Sequence, residues 1–435
     1  MNRSTKKLLL VMEQCNPRWP SVPQVAFQIY NQLNRLAEVT LVTHERNREG
    51  LTKTHPHADI VYLAESRLVR DYYGVVARAT SRGNVNWPLQ HALSFPVYAE
   101  FDRGVKRIFG PRIERGEYAA ILGMTPVLPR YPYSLAGFSK KVPFILGPVN
   151  GGLPFPEAFG GIAVSESSRF NFLRQFCRLL PHYVATYEKA DRIIAGSAFT
   201  RDWIADTFAV KPDRLHLLAE NGVVDDYFSA PIRLRDPEKP LALLFAGRLV
   251  PYKGADMLLD ALKLASPRLS LLPHLTLVGD GPERGKLEQQ AAALGLSAQI
   301  TFTGLVPPDT MPQRFREADL FCFPSIREFG GAVVLEAMAS GVPCIVADHG
   351  GIGEYVNEAC GVKIAPSSRE HLVTRMADAI CEFDQDKARY DTCSANSRER
   401  AEAYRWSNKA ERLLEIVAEA VAGKQGKSGE VALAG

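Results

Sequence analysis

Short apolar stretches alternate with longer amphipathic patterns along most of the chain. Eleven stretches are predicted to be β-strands. Several of them are continuously apolar rather than alternating, as expected for parallel strands that are covered on both faces. Repeated alternation of strand and helix patterns is typical of a doubly wound α/β fold. The predicted strands are residues 8–12, 39–43, 119–122, 142–146, 192–195, 215–217, 241–246, 275–278, 300–303, 320–323 and 343–347.

The alternation is interrupted once, between residues 221 and 240. This segment is rich in proline, aspartate and turn residues and has no long apolar stretch, which is typical of a linker between domains. We therefore predict an N-terminal domain over residues 1–220, a hinge over 221–240 and a C-terminal domain over 241–405. A helix over 406–422 follows, which could pack back on the N-terminal domain, and residues 423–435 are predicted to be a disordered tail.

Composition and charge exclude several classes of protein. Hydrophobic residues make up 46% and charged residues 23% of the 435 positions, as in a soluble globular chain. The net charge of +4 is too small to predict nucleic-acid binding. No stretch approaches the roughly 18 to 20 apolar residues that span a bilayer, and the apolar stretch at 8–12 is too short for a signal peptide. The seven cysteines are scattered without a CxxC pair, which favours a reducing cytoplasmic location without a zinc site.

A basic and aromatic segment at residues 163–190 is predicted to be helical. Arg169, Arg174 and Arg178 lie among phenylalanines and leucines between positions 170 and 180. Two interpretations are open. The segment could be an amphipathic surface that contacts anionic lipid at the inner face of the membrane, or a core helix whose arginines extend towards solvent.

The densest signal for chemistry lies in the predicted C-terminal domain. The strand at 241–246 brings Gly247 to the carboxyl edge of the sheet, where open α/β sheets bind ligands. Arg248 and Lys253 follow on the next loop and are suited to neutralise phosphate oxygens. An arginine and a lysine at this spacing are unspecific by themselves, so a solvated loop is the alternative.

A second loop, after the strand at 320–323, strengthens this interpretation. A loop, the glycines Gly330 and Gly331 and then a helix follow that strand, an arrangement that offers free backbone N–H groups to phosphate. Glu328 precedes the helix and Glu336 lies within it, and such carboxylates suit hydroxyl groups of a sugar or a ribose. Apolar residues flank Glu336, which would make it a buried carboxylate without a partner unless it serves a ligand.

Taken together, these motifs resemble the retaining GT-B glycosyltransferases of family GT4 (glycosyl transferases group 1). Glu328 and Glu336 match the E-x7-E motif of that family. The resemblance implies an α/β fold of two Rossmann-like domains that face each other across a cleft, and transfer of a sugar from a nucleotide-sugar donor with retention, without a metal or other cofactor. The residues that carry it are GRL at 247–249, KG at 253–254, GDGP at 279–282, FTG at 302–304, EFG at 328–330, LEAMASG at 335–341 and GGIGE at 350–354.

Carried over to this sequence, the resemblance assigns roles to individual residues. Arg248 and Lys253 would hold the donor diphosphate and, with Glu328, would be catalytic. Glu336 would bind the ribose, and Glu328 the transferred sugar. The full set implied to bind the donor is Gly247, Arg248, Lys253, Glu328, Phe329, Gly330, Gly331, Ala332 and Glu336.

The predicted N-terminal domain departs from the family pattern. No glycine pair follows the first strand, and Asn150 stands where many members have a histidine. The GPVNGG sequence at 147–152 resembles a GPxGG variant of a subset of these enzymes. The alternative is a glycine-rich turn that only redirects the chain. The residues predicted to contact acceptor or sugar are Asn150, Gly151, Gly152 and Arg130, with Thr125 and Tyr131 facing the same cleft.

Two further sequence features concern metal binding and the surroundings of the donor. The DxD pattern at 384–386 lies in a polar helical stretch and is interpreted as chance rather than as a metal site. His349, which precedes Gly350, is the histidine expected closest to the donor.

The leading hypothesis is a metal-independent retaining glycosyltransferase. Its expected partners are a nucleotide-sugar and a glycan or lipid-linked acceptor, in polysaccharide or cell-envelope assembly, with possible peripheral contact to anionic membrane. Open alternatives are a non-catalytic nucleotide-sugar-binding subunit and a GT-B-fold epimerase or phosphorylase.

Overall fold

The computed structural model describes residues 7–80, 89–90, 93–125, 131–165 and 177–433. The chain divides into two units. Unit 1 comprises Met1–Gly152, Glu166–Glu220 and Trp406–Gly435, and unit 2 comprises Leu153–Ser165 and Asn221–Arg405.

Each unit is built on one parallel β-sheet. The strand order is β3-β2-β1-β4-β5-β6-β7 in unit 1 and β10-β9-β8-β11-β12-β13 in unit 2. Both sheets therefore begin with the order 3-2-1-4-5-6 of doubly wound folds. The strands are β1 (Lys7–Met12), β2 (Val39–His44), β3 (Ile60–Leu63), β4 (Tyr118–Thr125), β5 (Phe144–Val149), β6 (Arg192–Ala195), β7 (Leu215–Leu217), β8 (Ala242–Ala246), β9 (His274–Val278), β10 (Ile300–Gly304), β11 (Leu320–Phe323), β12 (Cys344–Ala347) and β13 (Gly361–Ile364).

All the strands predicted from the apolar stretches are present, and the sequence pattern missed β3 and β13. These two strands lie at the edges of their sheets. The residues of β3 are all half-buried, and Lys363 of β13 is exposed. In β13 the exposed Lys363 interrupts the apolar pattern, whereas β3 is a stretch of only four apolar residues at an incompletely covered edge of its sheet.

Helices connect the strands. They are α1 (Val22–Leu36), α2 (Arg48–Thr54), α3 (Arg67–Thr80), α4 (Phe95–Glu114), α5 (Gly160–Ser165), α6 (Tyr183–Lys189), α7 (Ala198–Phe208), α8 (Ala255–Ala265), α9 (Arg284–Ala293), α10 (Met311–Glu317), α11 (Ala332–Ala339), α12 (Gly351–Tyr355), α13 (Arg369–Gln385), α14 (Lys387–Glu402) and α15 (Trp406–Leu433). None of the described helices is both long and apolar enough to cross a membrane.

The core of unit 1 follows from the apolar pattern of its central strands. Leu9 and Val11 of β1 and Ile121 of β4 are fully buried, and they belong to one cluster with Val105 and Phe109 of α4. Burying side chains of this size contributes roughly 1.5–3 kcal/mol each, so the central strands and α4 hold the carboxyl edge of this sheet in place.

The last helix corrects the predicted C-terminal boundary. α15 packs against α1 and continues to Leu433, so the prediction of a disordered tail after residue 422 is wrong over residues 423–433. Three glycines in these residues lower their helix propensity, but extending an existing helix avoids the unfavourable nucleation step.

The segment at 221–240, predicted to be a hinge, is attached along its length to other parts of unit 2. Val223 N–H donates to the Tyr404 carbonyl at 2.9 Å. Further on, Arg235 forms an ion pair with Asp384 in which both side chains are buried. Turn residues and charges in this segment therefore mark fixed contacts rather than a free linker.

The basic and aromatic segment is also not a single helix in its described part. Residues 166–176 lie outside the described ranges, while α5 ends at Ser165 and α6 begins only at Tyr183. Pro181 disfavours a helix that runs through it, because its ring clashes with the preceding turn and it has no N–H to donate. The backbone of His182 is left-handed, with a φ of 67°.

Candidate active site

The predicted donor-site residues of unit 2 lie where the strand order of its sheet reverses. β8 pairs with β9 on one side and with β11 on the other. The loop that carries Gly247, Arg248 and Lys253 follows β8, and the loop that carries Glu328 follows β11. In doubly wound sheets the crevice at this switch point is the place where ligands bind.

Glycines let the loops after β8 and β9 lie directly against each other. Gly279 has a φ of 129°, and a Cβ at this position would lie 1.9 Å from the Gly247 carbonyl oxygen. Gly247 N–H donates to the Val278 carbonyl at 2.9 Å, and Leu249 N–H donates to the Asp280 carbonyl at 2.9 Å. The GDGP motif therefore fixes the backbone on both sides of Arg248.

A third glycine joins the loops after β8 and β11. Gly254 has a φ of 73°, and a Cβ there would lie 2.6 Å from the Pro324 carbonyl oxygen. Ile326 N–H donates to the Tyr252 carbonyl at 2.9 Å. These contacts hold the short 3₁₀ helix Pro251–Lys253 against the loop that carries Glu328.

Lys253 and Glu328 form an ion pair, with side chains only 14% and 16% exposed. The Lys253 ammonium also lies 4.9 Å from the centre of the Phe323 ring, and the Ser325 hydroxyl donates to the Glu328 carboxylate at 3.4 Å. A phosphate bound by Lys253 would share the ammonium with Glu328. Because the pair is largely removed from water, its charges act more strongly on a ligand than surface charges do.

Arg248 differs from Lys253 in its surroundings. Its side chain is exposed, and within the described ranges no carboxylate forms an ion pair with it. The fixed backbone on either side of Arg248 and the exposed guanidinium together suit a bidentate contact with phosphate oxygens.

The helix α11 begins directly after this loop without a side-chain cap. Gly331 stands at the N-cap position with a φ of 52°, and Gly351 N–H donates to the Glu328 carbonyl at 3.1 Å. Gly330 is buried, while Phe329 and Ala332 are half-buried. The N–H groups of the first turn have no capping side chain, an arrangement that favours an anion.

Replacing Gly331 with alanine is expected to lower the free energy of unfolding by roughly 1–3 kcal/mol. The added Cβ would lie 2.3 Å from Cγ2 of Ile352 and would impose a left-handed φ on a residue with a side chain. Thermal denaturation measures the change. The matched control is Gly285→Ala in α9, where a Cβ meets no atom within 4 Å and a gain of about 0.5–1 kcal/mol is expected. Equal midpoints for the two variants would contradict the argument.

Glu336 lies half-buried on α11, and it has a partner that the sequence analysis missed. The phenol of Tyr227 lies next to its carboxyl group, in a position to donate a hydrogen bond to it. Burial raises the pKa of Glu336 to about 7, and the hydrogen bond from Tyr227 opposes that rise. The available signal was the pair of adjacent aromatic residues 227 and 228 within the segment predicted to be a hinge.

Another contribution comes from the segment Leu153–Ser165, which belongs to unit 2 although residues 1–220 were predicted to form one domain. Arg327 Nε donates to the Leu153 carbonyl at 3.3 Å, and its guanidinium lies 4.7 Å from the Phe155 ring centre. His349 Nε2 lies 2.9 Å from the Pro154 carbonyl oxygen. Sequence separation conceals these contacts, because nearly 200 residues lie between the partners.

Asn150 is buried, and its side chain is hydrogen-bonded to residues at the start of α7. Its Oδ1 accepts hydrogen bonds from the Ser197 hydroxyl at 2.9 Å and the Thr200 hydroxyl at 2.8 Å. Gly151 N–H donates to the Thr200 hydroxyl at 3.1 Å, and Gly152 follows with a φ of 85°. The GPVNGG turn therefore has a structural role in unit 1, and its predicted contact with acceptor or sugar stays a prediction.

The other residues predicted to face the acceptor are Arg130, Thr125 and Tyr131. Arg130 lies outside the described residues. Thr125 is buried at the end of β4, where its hydroxyl accepts from Gln14 N–H at 3.2 Å. Tyr131 stacks on Tyr98 with ring centres 4.7 Å apart.

Both aspartates of the DxD pattern at 384–386 make structural contacts within the protein. Asp384 pairs with Arg235, and the Asp386 carboxylate caps α14 by accepting from Arg389 N–H at 2.9 Å. These contacts account for both aspartates without a metal ion, and the interpretation of the pattern as chance stays a prediction. Elsewhere in the described part of the chain, no group of three or more His, Cys, Asp and Glu side chains is placed to hold a metal ion. The expectation of a metal-free site stays a prediction.

Known proteins resemble the part of the chain that carries this site. Residues 230–400 match the family model "Glycosyl transferases group 1". The D-inositol 3-phosphate glycosyltransferase of Nocardia farcinica is 29% identical over 239 residues, which are 52% of this chain and 52% of that protein. The chain thus matches about half the length of this curated relative.

Solved structures show the same fold over nearly the whole chain. Sucrose-phosphate synthase from Thermosynechococcus elongatus has a TM-score of 0.64 at 18% identity, covering 96% of this chain and 100% of that one. HepE from Anabaena, in complex with UDP, has a TM-score of 0.61 at 17% identity, covering 95% and 100%. The expectation of a GT-B fold with two Rossmann-like units is confirmed.

Proposed function

We propose that this protein transfers a sugar from a nucleotide-sugar donor to an acceptor, on the premise that residues 230–400 match the family model of the glycosyl transferases group 1. One observation carries the proposal. Two cationic side chains, two carboxylates and an uncapped helix start lie at the carboxyl edge of one sheet, around its switch point. Cations and N–H groups suit a diphosphate, and carboxylates suit the hydroxyl groups of ribose and sugar.

The proposed reaction assigns a task to each charged group. The bond between the anomeric carbon and the diphosphate oxygen breaks, so that negative charge grows on the leaving diphosphate. Arg248 and Lys253 stabilise that charge, which is the largest electrostatic task in the reaction. Glu328 stabilises the positive charge that develops at the anomeric carbon.

We propose further that the transfer proceeds with retention and without a metal ion. The acceptor oxygen forms its bond to the anomeric carbon on the face that the diphosphate leaves, and the acceptor proton moves to a leaving phosphate oxygen. In this scheme the chain supplies no separate base. Two cationic side chains close to the diphosphate support a metal-free version, because they can perform the neutralisation that a bound metal would otherwise provide.

The proposal predicts binding of a nucleoside diphosphate, which titration calorimetry with UDP, GDP and ADP would detect. HepE, which shares the fold, was solved with UDP, so UDP is the first ligand to test. With the corresponding nucleotide-sugar, slow release of free sugar is expected in the absence of acceptor. Binding without any such hydrolysis would favour the alternative of a non-catalytic nucleotide-sugar-binding subunit.

The same hydrolysis assay tests whether the reaction retains the anomeric configuration and whether it needs a metal ion. Proton NMR during the first minutes identifies the anomer of the released sugar before it equilibrates. The anomer of the donor is expected, at a rate that a metal chelator leaves unchanged. Release of the opposite anomer would overturn the retaining mechanism, and loss of activity with chelator would overturn the metal-free one.

For the acceptor we propose a glycan or a lipid-linked glycan, in polysaccharide or cell-envelope assembly at the cytoplasmic face of a membrane. The supporting observation lies in unit 1, where Leu179 is 78% exposed beside Arg178, within the basic and aromatic segment. An apolar side chain next to a cation is suited to an anionic lipid surface.

Co-sedimentation with vesicles tests the membrane contact. Binding to vesicles that contain anionic lipid is expected at low salt and should weaken at high salt, because surface charges are then screened. Leu179→Glu should reduce binding, whereas the control Leu305→Glu, at a position that is 82% exposed in unit 2, should not. Absence of binding at low salt would remove the membrane from the proposal.

A further inference from the structure

A short 3₁₀ helix at Asp225–Phe228, in the segment predicted to be a hinge, supplies Tyr227 to the candidate site. Tyr227 is 9% exposed. Its ring packs edge-on against the ring of Phe315 in α10, with centres 5.9 Å apart at 67°. The short helix contacts α11, and the phenol of Tyr227 lies next to the carboxyl group of Glu336, in a position to donate a hydrogen bond to it. The tyrosine is therefore buried, oriented by a ring contact and joined to one carboxylate of the E-x7-E motif.

Two arginines hold the short helix in place from its other side. Arg398 donates to the Phe228 carbonyl and, at 2.6 Å, to the Ala230 carbonyl. Arg405 lies 3.6 Å from the Phe228 ring centre and forms an ion pair with the carboxylate of Asp225. Because these contacts fix the residues before and after Tyr227, its hydroxyl is presented to Glu336 from a rigid support.

The same support reaches the other carboxylate of the motif through a row of buried rings. Phe315 packs against Phe321 with ring centres 5.4 Å apart, and Phe321 stacks on Phe323 at 5.7 Å. Lys253, the partner of Glu328, lies over the ring of Phe323. Tyr227, the partner of Glu336, contacts Phe315 at one end of this row of rings. Lys253, the partner of Glu328, contacts Phe323 at the other end. This arrangement fixes the two carboxylates relative to each other.

We propose that Tyr227 is the positioning residue for ribose recognition: its hydroxyl holds one oxygen of the Glu336 carboxylate and leaves the other directed to a ribose hydroxyl of the donor. The inference rests on the proposed function. A carboxylate on a helix can rotate about its side-chain bonds, and each hydrogen bond that it makes to the protein removes part of that freedom. Precise placement matters here because hydrogen bonds are strongly directional.

The proposal makes a prediction about discrimination between sugars. The wild-type protein is expected to bind UDP about 10- to 100-fold more tightly than 2′-deoxy-UDP or 3′-deoxy-UDP, whichever lacks the recognised hydroxyl, since a hydrogen bond to a charged group is lost. In Tyr227→Phe this ratio should fall to about threefold or less, mainly through weaker binding of UDP. Titration calorimetry measures all the affinities, with GDP or ADP and their deoxy forms replacing UDP if one of those is the nucleotide that binds.

Two further variants make the experiment decisive. Tyr390→Phe removes a hydroxyl from another buried tyrosine of unit 2 and should leave the ratio at its wild-type value. Arg405→Gln releases the short helix without changing the tyrosine and should give an intermediate ratio, which provides a second measurement if Tyr227→Phe does not fold.

The outcomes separate the inference from the proposed function. A folded Tyr227→Phe that keeps the wild-type ratio, while the wild type binds nucleotide, overturns the positioning role and leaves the proposed function standing. Absence of nucleotide binding to the wild type overturns the proposed function, and the inference falls with it. The inference is supported if the ratio of UDP to deoxy-UDP affinity falls in Tyr227→Phe but not in Tyr390→Phe. A general loss of packing would weaken the binding of UDP and of its deoxy forms equally and would leave the ratio unchanged.

Discussion

Replacing Lys253 with alanine is expected to lower kcat by roughly 10²- to 10³-fold while changing donor affinity much less. The negative charge of the diphosphate grows as its bond to the sugar breaks, so a cation contributes more in the transition state than in the bound donor. Lys253 is only 14% exposed and is held by Glu328, so its charge acts with little screening by water. Donor hydrolysis rates at saturating donor and calorimetric Kd values separate the two effects.

The surroundings of the two cations provide an internal comparison. Arg248 is exposed, so water screens its charge more, and we expect Arg248→Ala to lower kcat by a smaller factor than Lys253→Ala. Lys263→Ala, at an exposed position of α8, is the matched control and should leave kcat unchanged. If Lys253→Ala weakens donor binding as much as it lowers kcat, Lys253 provides uniform binding rather than stabilisation of the leaving group.

Replacing Glu336 with glutamine is expected to weaken nucleotide binding and to stabilise the protein above neutral pH. Burial raises the pKa of Glu336 from 4.5 to about 7, so between these values the folded state binds the proton more tightly than the unfolded state does. The contribution of this group to stability is therefore present at acidic pH and is lost as the pH rises through about 7. Glutamine cannot ionise, so the thermal midpoint of Glu336→Gln minus that of the wild type should be larger at pH 8 than at pH 5.

Nucleotide affinity should show the opposite dependence on pH. The ionised Glu336 carboxylate accepts hydrogen bonds from ribose hydroxyls, so wild-type affinity is expected to fall as the pH drops below about 7. Glu336→Gln should have about 10- to 100-fold lower affinity at pH 8 and should lack this component of the pH dependence. Ionisation of the nucleotide phosphates affects both proteins, so the comparison cancels it. A midpoint difference that is the same at pH 5 and pH 8 would show that Glu336 does not titrate between them.

Much of the fold could be predicted from local patterns alone. Central parallel strands such as β1 and β8 are buried on both faces, so their sequences are continuously apolar and recognisable. The glycines of the donor-side motifs were also recognisable, and the structure supplies the reason for them: at Gly254 and Gly279, for instance, a Cβ would collide with a carbonyl oxygen of a neighbouring loop. The edge strands β3 and β13 escaped prediction: the exposed Lys363 interrupts β13, and β3 is only a short stretch of four half-buried apolar residues.

The predictions were weaker wherever the relevant partner lies far away in the chain. Glu336 was predicted to lack a partner, although Tyr227 provides one from the segment predicted to be a hinge. For Asn150, the hydrogen bonds that its side-chain oxygen accepts from Ser197 and Thr200 at the start of α7 were not predicted. Hydrogen bonds of this kind depend on the approach of separate elements, and neither composition nor spacing records that approach.

The sequence by itself determined the order and type of the central elements and the chemical identity of the groups at the sheet edge: Arg248, Lys253, Glu328 and Glu336. It did so because burial periodicity and loop glycines are local properties of a chain. Only the tertiary structure decided how these groups are paired. The ion pair of Lys253 with Glu328 joins residues 75 positions apart, and the segment Leu153–Ser165 belongs to unit 2 although the chain on both sides of it belongs to unit 1. Such pairing follows from the way in which the strands are ordered in each sheet, since that order brings distant loops to one edge.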